Sequence, residues 1–154
     1  MQATIRPVKI SDYSAVNAIG TANYSSNYYE GAKSFESKMA GYPEGCFVAD
    51  VDGVVGYVIS FPYVLGKPYP LNELFTPTPN PDCYYIHDVC VAPEFRGKGI
   101  AKQLAERVFA ADWDILCLVA VQKSNAFWRK LGFRGFAALE YYGQKAEYML
   151  WIRD

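Results

Sequence analysis

Between residues 83 and 111 the chain changes its periodicity within a single turn's length. CYYIHDVCV is rich in β-branched and aromatic residues and predicts a strand over 83–91. Pro93 stops that strand, RGKG turns the chain, and IAKQLAERVFAA then carries apolar residues at helical spacing, so a helix is predicted over 96–111. A strand running through a basic glycine turn into an amphipathic helix demands a sheet on which that helix packs. Alternation continues downstream. DILCLVAV predicts a strand over 114–121, KSNAFWRKLG a helix over 123–132, and KAEYMLWIR a last strand over 145–153.

The first half supplies the remaining elements of an α/β (α+β) chain with helices on both faces of a mixed sheet. ATIRPV predicts a first strand; SDYSAVNAIGTA predicts a helix with Ser11 or Asp12 as N-cap. A short helix around Ser34 to Met39 closes at Gly41 and Pro43. In CFVADVDGVVGYVISF, two β-rich runs meet at Asp52-Gly53, the strongest short hairpin signal. The stretch 62–82 then holds six of the nine prolines, which excludes a central strand or a long helix. Its interleaved Tyr63, Tyr69, Leu71, Leu74 and Phe75 predict a stiff packed loop, bordering a binding site or covering the core.

The 154 residues suit one domain, 1–154, and about half are hydrophobic, as in a globular chain. A formal net charge of -1 gives no reason to expect nucleic acid or an anionic membrane as partner. No apolar run is long enough to span a bilayer, and MQATIRPVKI lacks the apolar core of a signal peptide, so the expected address is cytoplasmic. Cys46, Cys83, Cys90 and Cys117 form no CxxC pair, and the single histidine leaves no zinc set, so no metal is expected. Three of them read as small buried hydrophobes of a reducing compartment; Cys90, in the strand that runs into the glycine turn, is set apart.

At the glycine turn, unpaired N–H groups and the positive end of the following helix would meet an anion that the glycines allow close to the backbone. Arg96 and Lys98 add positive charge there. The Walker pattern GxxxxGK[ST] is absent, and no third glycine completes GxGxxG. A solvated helix face, with Arg96, Lys98, Lys102 and Arg107 among Glu94 and Glu106, is the alternative reading.

The stretch VCVAPEFRGKGIAKQL resembles motif A of the GNAT superfamily of N-acetyltransferases, whose pattern is Arg or Gln, two residues, Gly, one residue, then Gly or Ala. Arg96, Gly97, Lys98, Gly99, Ile100 and Ala101 meet it, NAFWRKLGF resembles the second signature, and the order of elements matches over nearly the whole chain. The resemblance implies a sheet splayed at its central strands and acetyl-CoA as cosubstrate. The pyrophosphate would lie on the N–H groups of Arg96 to Ala101, and pantetheine would pair with the edge of Val89, Cys90 and Val91. Ser124, Asn125 and Trp128 are further cofactor-contact candidates. Val121 stands where the family often has an asparagine.

Acyl transfer to an amine needs an unprotonated nucleophile, an oxyanion donor and an exit for the thiolate. His87 is the first candidate base, with Asp88 beside it. Neighbours on a strand face opposite ways, so only one of them should reach the cleft unless a bulge reorients the other. The resemblance places an oxyanion-binding N–H near Val89. Trp128 occupies the position where many family members have a tyrosine acid; an indole N–H donates hydrogen bonds without acting as an acid, which directs attention to Tyr141 or Tyr142. Three functions follow: acetylation of a small primary amine of the arylalkylamine or polyamine type, acetylation of a protein or peptide, or a weakly catalytic acyl-CoA-binding sensing module. Loop acids Glu30, Glu36, Glu44, Glu73 and Asp82 would suit the second if they form a broad acidic groove; the alternative is that they are merely solvated. A monomer or homodimer is expected.

Overall fold

Asp52 and Gly53, both at positive φ, close the predicted hairpin between β2 (Cys46–Asp50) and β3 (Val54–Tyr63). The computed structural model describes residues 2–24 and 30–154. Around this hairpin stand β1 (Thr4–Pro7), α1 (Tyr13–Asn23) and α2 (Ala32–Gly41) before it, and β4 (Cys83–Val91), α3 (Ile100–Phe109), β5 (Ile115–Ala120), α4 (Asn125–Lys130), β6 (Arg134–Tyr141) and β7 (Gln144–Ile152) after it. The seven strands among the described residues form one sheet in the order β1-β2-β3-β4-β5-β7-β6. Among the described residues, no helix is long and apolar enough to cross a membrane.

Every neighbouring pair is antiparallel except β4 and β5, whose parallel register covers only Tyr84 opposite Leu116 and Tyr85 opposite Cys117. Beyond Tyr85 the two strands part. This is the expected splay, and among the described residues it leaves the Ile86–Val91 edge of β4 without a partner strand on that side.

One core packs Ile86, Leu104, Leu116, Leu118 and Trp128 beneath α3 and α4. The other packs Val16, Phe35, Tyr57, Phe61 and Tyr85 against α1 and α2. Cys46, Cys83, Cys90 and Cys117 are buried free thiols.

Three sequence expectations need correction. The motif helix begins at Ile100 rather than Arg96, because Gly97 (φ 74°) and Gly99 (φ 80°) hold the left-handed conformation and keep the turn out of the helix. Asp12 stands at the α1 N-cap position, yet its carboxylate accepts from Lys9 N–H (2.8 Å) and the Arg6 guanidinium (2.8 Å), closing the preceding turn instead. β6 was hidden from periodicity: RGFAALEY is an edge strand exposed almost throughout, with a register shift at Gly135 to Ala137, so no one-sided apolar pattern marks it.

Candidate active site

The parting of β4 and β5 opens a cleft of about 440 Å³, lined among others by Val89, Cys90, Val91, Arg96, Ala101 and Trp128. At its mouth, a side chain placed on Gly97 or Gly99 would meet nothing within 4 Å, so the backbone of the turn lies open to a ligand. Arg96 is held over the turn by a hydrogen bond to Asn23 Oδ1, which ties the motif to α1. Lys98 is exposed beside it. Burial raises the Cys90 thiol well above its ordinary value, keeping it protonated and a poor nucleophile.

On the opposite wall, Ser124 and Val121 line the cleft, whereas the Asn125 amide donates to Glu147 Oε1 (2.6 Å) on β7. Trp128 is 7 % exposed and packs edge-on against Phe127 and Phe133 while facing the cleft.

The register of β3 on β4 pairs Ser60 with Ile86 and Ile59 with Asp88, leaving His87 as the extra residue of a bulge. A bulge reverses the alternation. His87 and Asp88 consequently lie on one face, toward α1 and α2, where alternation predicted opposite faces.

They do different things there. The Asp88 carboxylate accepts the Tyr24 phenol on Oδ1 and the Tyr57 phenol on Oδ2 (2.6 Å). Burial drives its pKa upward, the two phenols partly offset that, and the carboxyl comes to rest at about 6. Tyr57 is buried, but Tyr24 is only half-buried and lines the cleft, as Asp88 itself does. Sequence reading gave no signal for Tyr24, which is brought to Asp88 across 64 residues of chain.

The His87 side chain turns the other way along the same face, under the proline-rich loop, and is 2 % exposed. Its Nε2 meets Glu30 Oε2 at 2.5 Å, and its buried Nδ1 has no hydrogen-bond partner among the described residues. The two neighbours therefore share a face without sharing a proton.

Glu30 is not one of the solvated loop acids: it is 1 % exposed. Its Oε1 accepts from Lys38 Nζ (2.9 Å), Ser34 Oγ (2.8 Å) and Asn72 N–H (2.9 Å). Burial alone would raise its pKa, but the His87 and Lys38 charges and bonds prevail and hold the carboxyl far below the ordinary range. Lys38, wholly buried, also donates to Ser34 Oγ and to the Glu73 carbonyl (3.0 Å).

The loop over 64–82 is bonded at both ends of its course. On one side, Gly66 N–H donates to Tyr148 Oη (2.8 Å), Tyr141 Oη donates to the Tyr69 carbonyl, and Leu71 N–H donates to Tyr142 Oη (2.8 Å). On the other, Asn72 and Glu73 join Glu30 and Lys38, and Phe75 N–H donates to Ser37 Oγ (3.0 Å). The loop thus bridges the β6–β7 hairpin and α2, the two halves of the splayed sheet.

Beneath it lies a recess of about 30 Å³ lined by residues including Tyr24, Leu71, Asp88 and Tyr141. Tyr24, His87, Asp88, Val119 and Val121 line both cleft and recess, so the recess continues the cleft past Asp88. Tyr142, 45 % exposed, sits at the tip of the hairpin outside both linings.

The sequence profile described as the acetyltransferase (GNAT) family matches residues 15–133. No curated protein matches the sequence closely enough to count as a relative. Solved structures share the fold at low identity. One is the NatC complex bound to Gag peptide and CoA (17 % identity, 100 % of each chain covered, TM-score 0.78). Another is the GphF GNAT-like decarboxylase in complex with isobutyryl-CoA (14 %, 97 % of this chain and 98 % of that one, TM-score 0.82). A third is a GNAT family acetyltransferase from Brucella melitensis in complex with acetyl-CoA (17 %, 98 % and 88 %, TM-score 0.63).

Proposed function

Since the chain belongs to the acetyltransferase (GNAT) family, we propose that it transfers the acetyl group of acetyl-CoA to the primary amine of a small molecule, by direct attack within a ternary complex. The observation that carries this reading is the bulge at His87, which sets the Asp88 carboxylate and its Tyr24 partner where cleft and recess meet.

The open turn at Gly97 and Gly99 and the free edge of β4 fit an acyl-CoA: backbone N–H groups for the pyrophosphate, main-chain pairing for the pantetheine. When bound, it supplies the activated acyl carbon. The chain's own residues handle the amine. A free amine of pKa about 10.4 is mostly ammonium at neutral pH, a deficit of about 4 to 5 kcal/mol. Tyr24 accepts a hydrogen bond from the incoming amine, and Asp88, ionised above its pKa of about 6, takes the proton through the phenol. As the N–C bond forms, the C–S bond breaks with its electron pair on sulfur, and the thiolate gains a proton from water at the open mouth of the cleft. Trp128 closes the wall beside it without proton transfer. Ser124 and the Val89 to Val91 backbone complete the cofactor side.

The test is release of free thiol by the purified protein with acetyl-CoA and a panel of primary amines. Thiol release is expected, rising with pH through about 6 as Asp88 ionises. Asp88→Asn should lower kcat by roughly 10² to 10⁴ and remove that rising limb while acetyl-CoA still binds. Cofactor binding with no release for any amine would overturn the reading in favour of a sensing module.

A further inference from the structure

From the course of the proline-rich loop we infer that Leu71 and Tyr142 set the upper size of the acceptor, making this a transferase for compact amines that refuses an extended chain; the inference deepens the small-amine reading above and rests on it. An acceptor must reach the splay from the side away from the glycine turn, because that turn and the β4 edge belong to the acyl donor. On that side the way is crossed by the loop. Its two anchorages are of different kinds. Asn72 and Glu73 are fastened to a buried ion cluster, with Lys38 0 % and Glu30 1 % exposed, so that end is rigid. Leu71 is joined to the exposed Tyr142 by a bond from its N–H to the phenol oxygen (2.8 Å), and Leu71 lines the recess.

Between these anchorages the recess holds about 30 Å³, room for the small head of an amine beside Tyr24 and Asp88. A polypeptide offering its N-terminal amine would need the residues that follow it to pass the line from Tyr142 through Leu71 to Glu30. That line is closed by hydrogen bonds from the β6–β7 hairpin to the loop and from the loop to Glu30, just ahead of α2. Leu71 is half-buried and Tyr142 is exposed, so each can be changed without opening the core.

The experiment compares kcat/KM, by free thiol release, for straight-chain primary amines of increasing length, for phenylalkylamines and for a short peptide with a free N-terminal amine. The wild-type protein is expected to use the compact amines and to lose rate steeply beyond a certain length. Leu71→Ala should move that length limit outward, with a gain of about tenfold for the first amine beyond the wild-type limit and an unchanged KM for acetyl-CoA. Tyr142→Phe, which removes the phenol oxygen that accepts the Leu71 N–H, should shift the same limit by a smaller factor. Compact amines acetylated with the same length profile in all three proteins, or a peptide used by wild type as well as a compact amine, would overturn the inference and leave the acetyltransferase reading standing. No acetylation of any amine by any of the three would bring down both.

Discussion

Under the proposed function, the donor end and the acceptor end of this cleft are built on opposite plans. The donor end, Val89 to Ala101, is contiguous in sequence and works through backbone: an unpaired strand edge and a turn whose two glycines lie open. The acceptor end gathers Tyr24, Glu30, Leu71, Asp88 and Tyr141 from five separate places in the chain and works through side chains. A backbone device can be kept by a short pattern and carried between proteins of different specificity. A side-chain device depends on how loops happen to lie, and that is where one member of a family differs from another.

The largest effect should come from attacking the donor end at a single residue. Gly99→Val forces a β-branched residue to φ 80° and puts a side chain into the open turn. Acetyl-CoA affinity should fall by at least about 100-fold in calorimetry. The length profile of any residual activity should stay where it was, since the acceptor end is untouched; a changed profile would mean that the two ends are not separate devices.

An intermediate effect is expected where the acceptor end meets the core. Glu30→Gln leaves Lys38 buried without its counter-charge and should lower stability by about 3 kcal/mol, read from denaturant unfolding at neutral pH. The pH dependence of wild-type stability separates the two buried acids. Glu30 has a folded pKa below its unfolded value, so its contribution is present above the ordinary carboxylate range and is lost as pH falls. Asp88 has a folded value of about 6, above its unfolded one, so its contribution is present at low pH and is lost as pH rises through about 6. In Asp88→Asn the second dependence should vanish and the first should remain.

The smallest effect sharpens the comparison most. Tyr24→Phe deletes only the phenol that donates to Asp88 Oδ1, and Asp88 keeps Tyr57. A loss of about tenfold in kcat at saturating acetyl-CoA is expected, with the midpoint of the rising pH limb displaced. An unchanged rate would remove Tyr24 from proton transfer.

Much of the fold was legible because its signals are local. Asp52-Gly53 made its hairpin, Pro93 ended β4, and the 3.6-residue spacing after Gly99 made α3. The illegible part was β6, exposed on both faces and therefore without a pattern to read. At the site, RGKGIA announced the turn, and HD announced two candidates without saying where either points.

By itself, the sequence determined the donor end, since strand, turn and helix there are set by neighbours within a few residues and by the conformations that glycine and proline impose. Only the tertiary structure decided the acceptor end. Whether His87 and Asp88 share a face depends on one extra residue in the register of β4 against β3, and register is a property of two strands. Whether Glu30 is a solvated loop acid or the buried partner of Lys38 and His87 depends on what packs over it, and a proline-rich loop 40 residues downstream provides that cover.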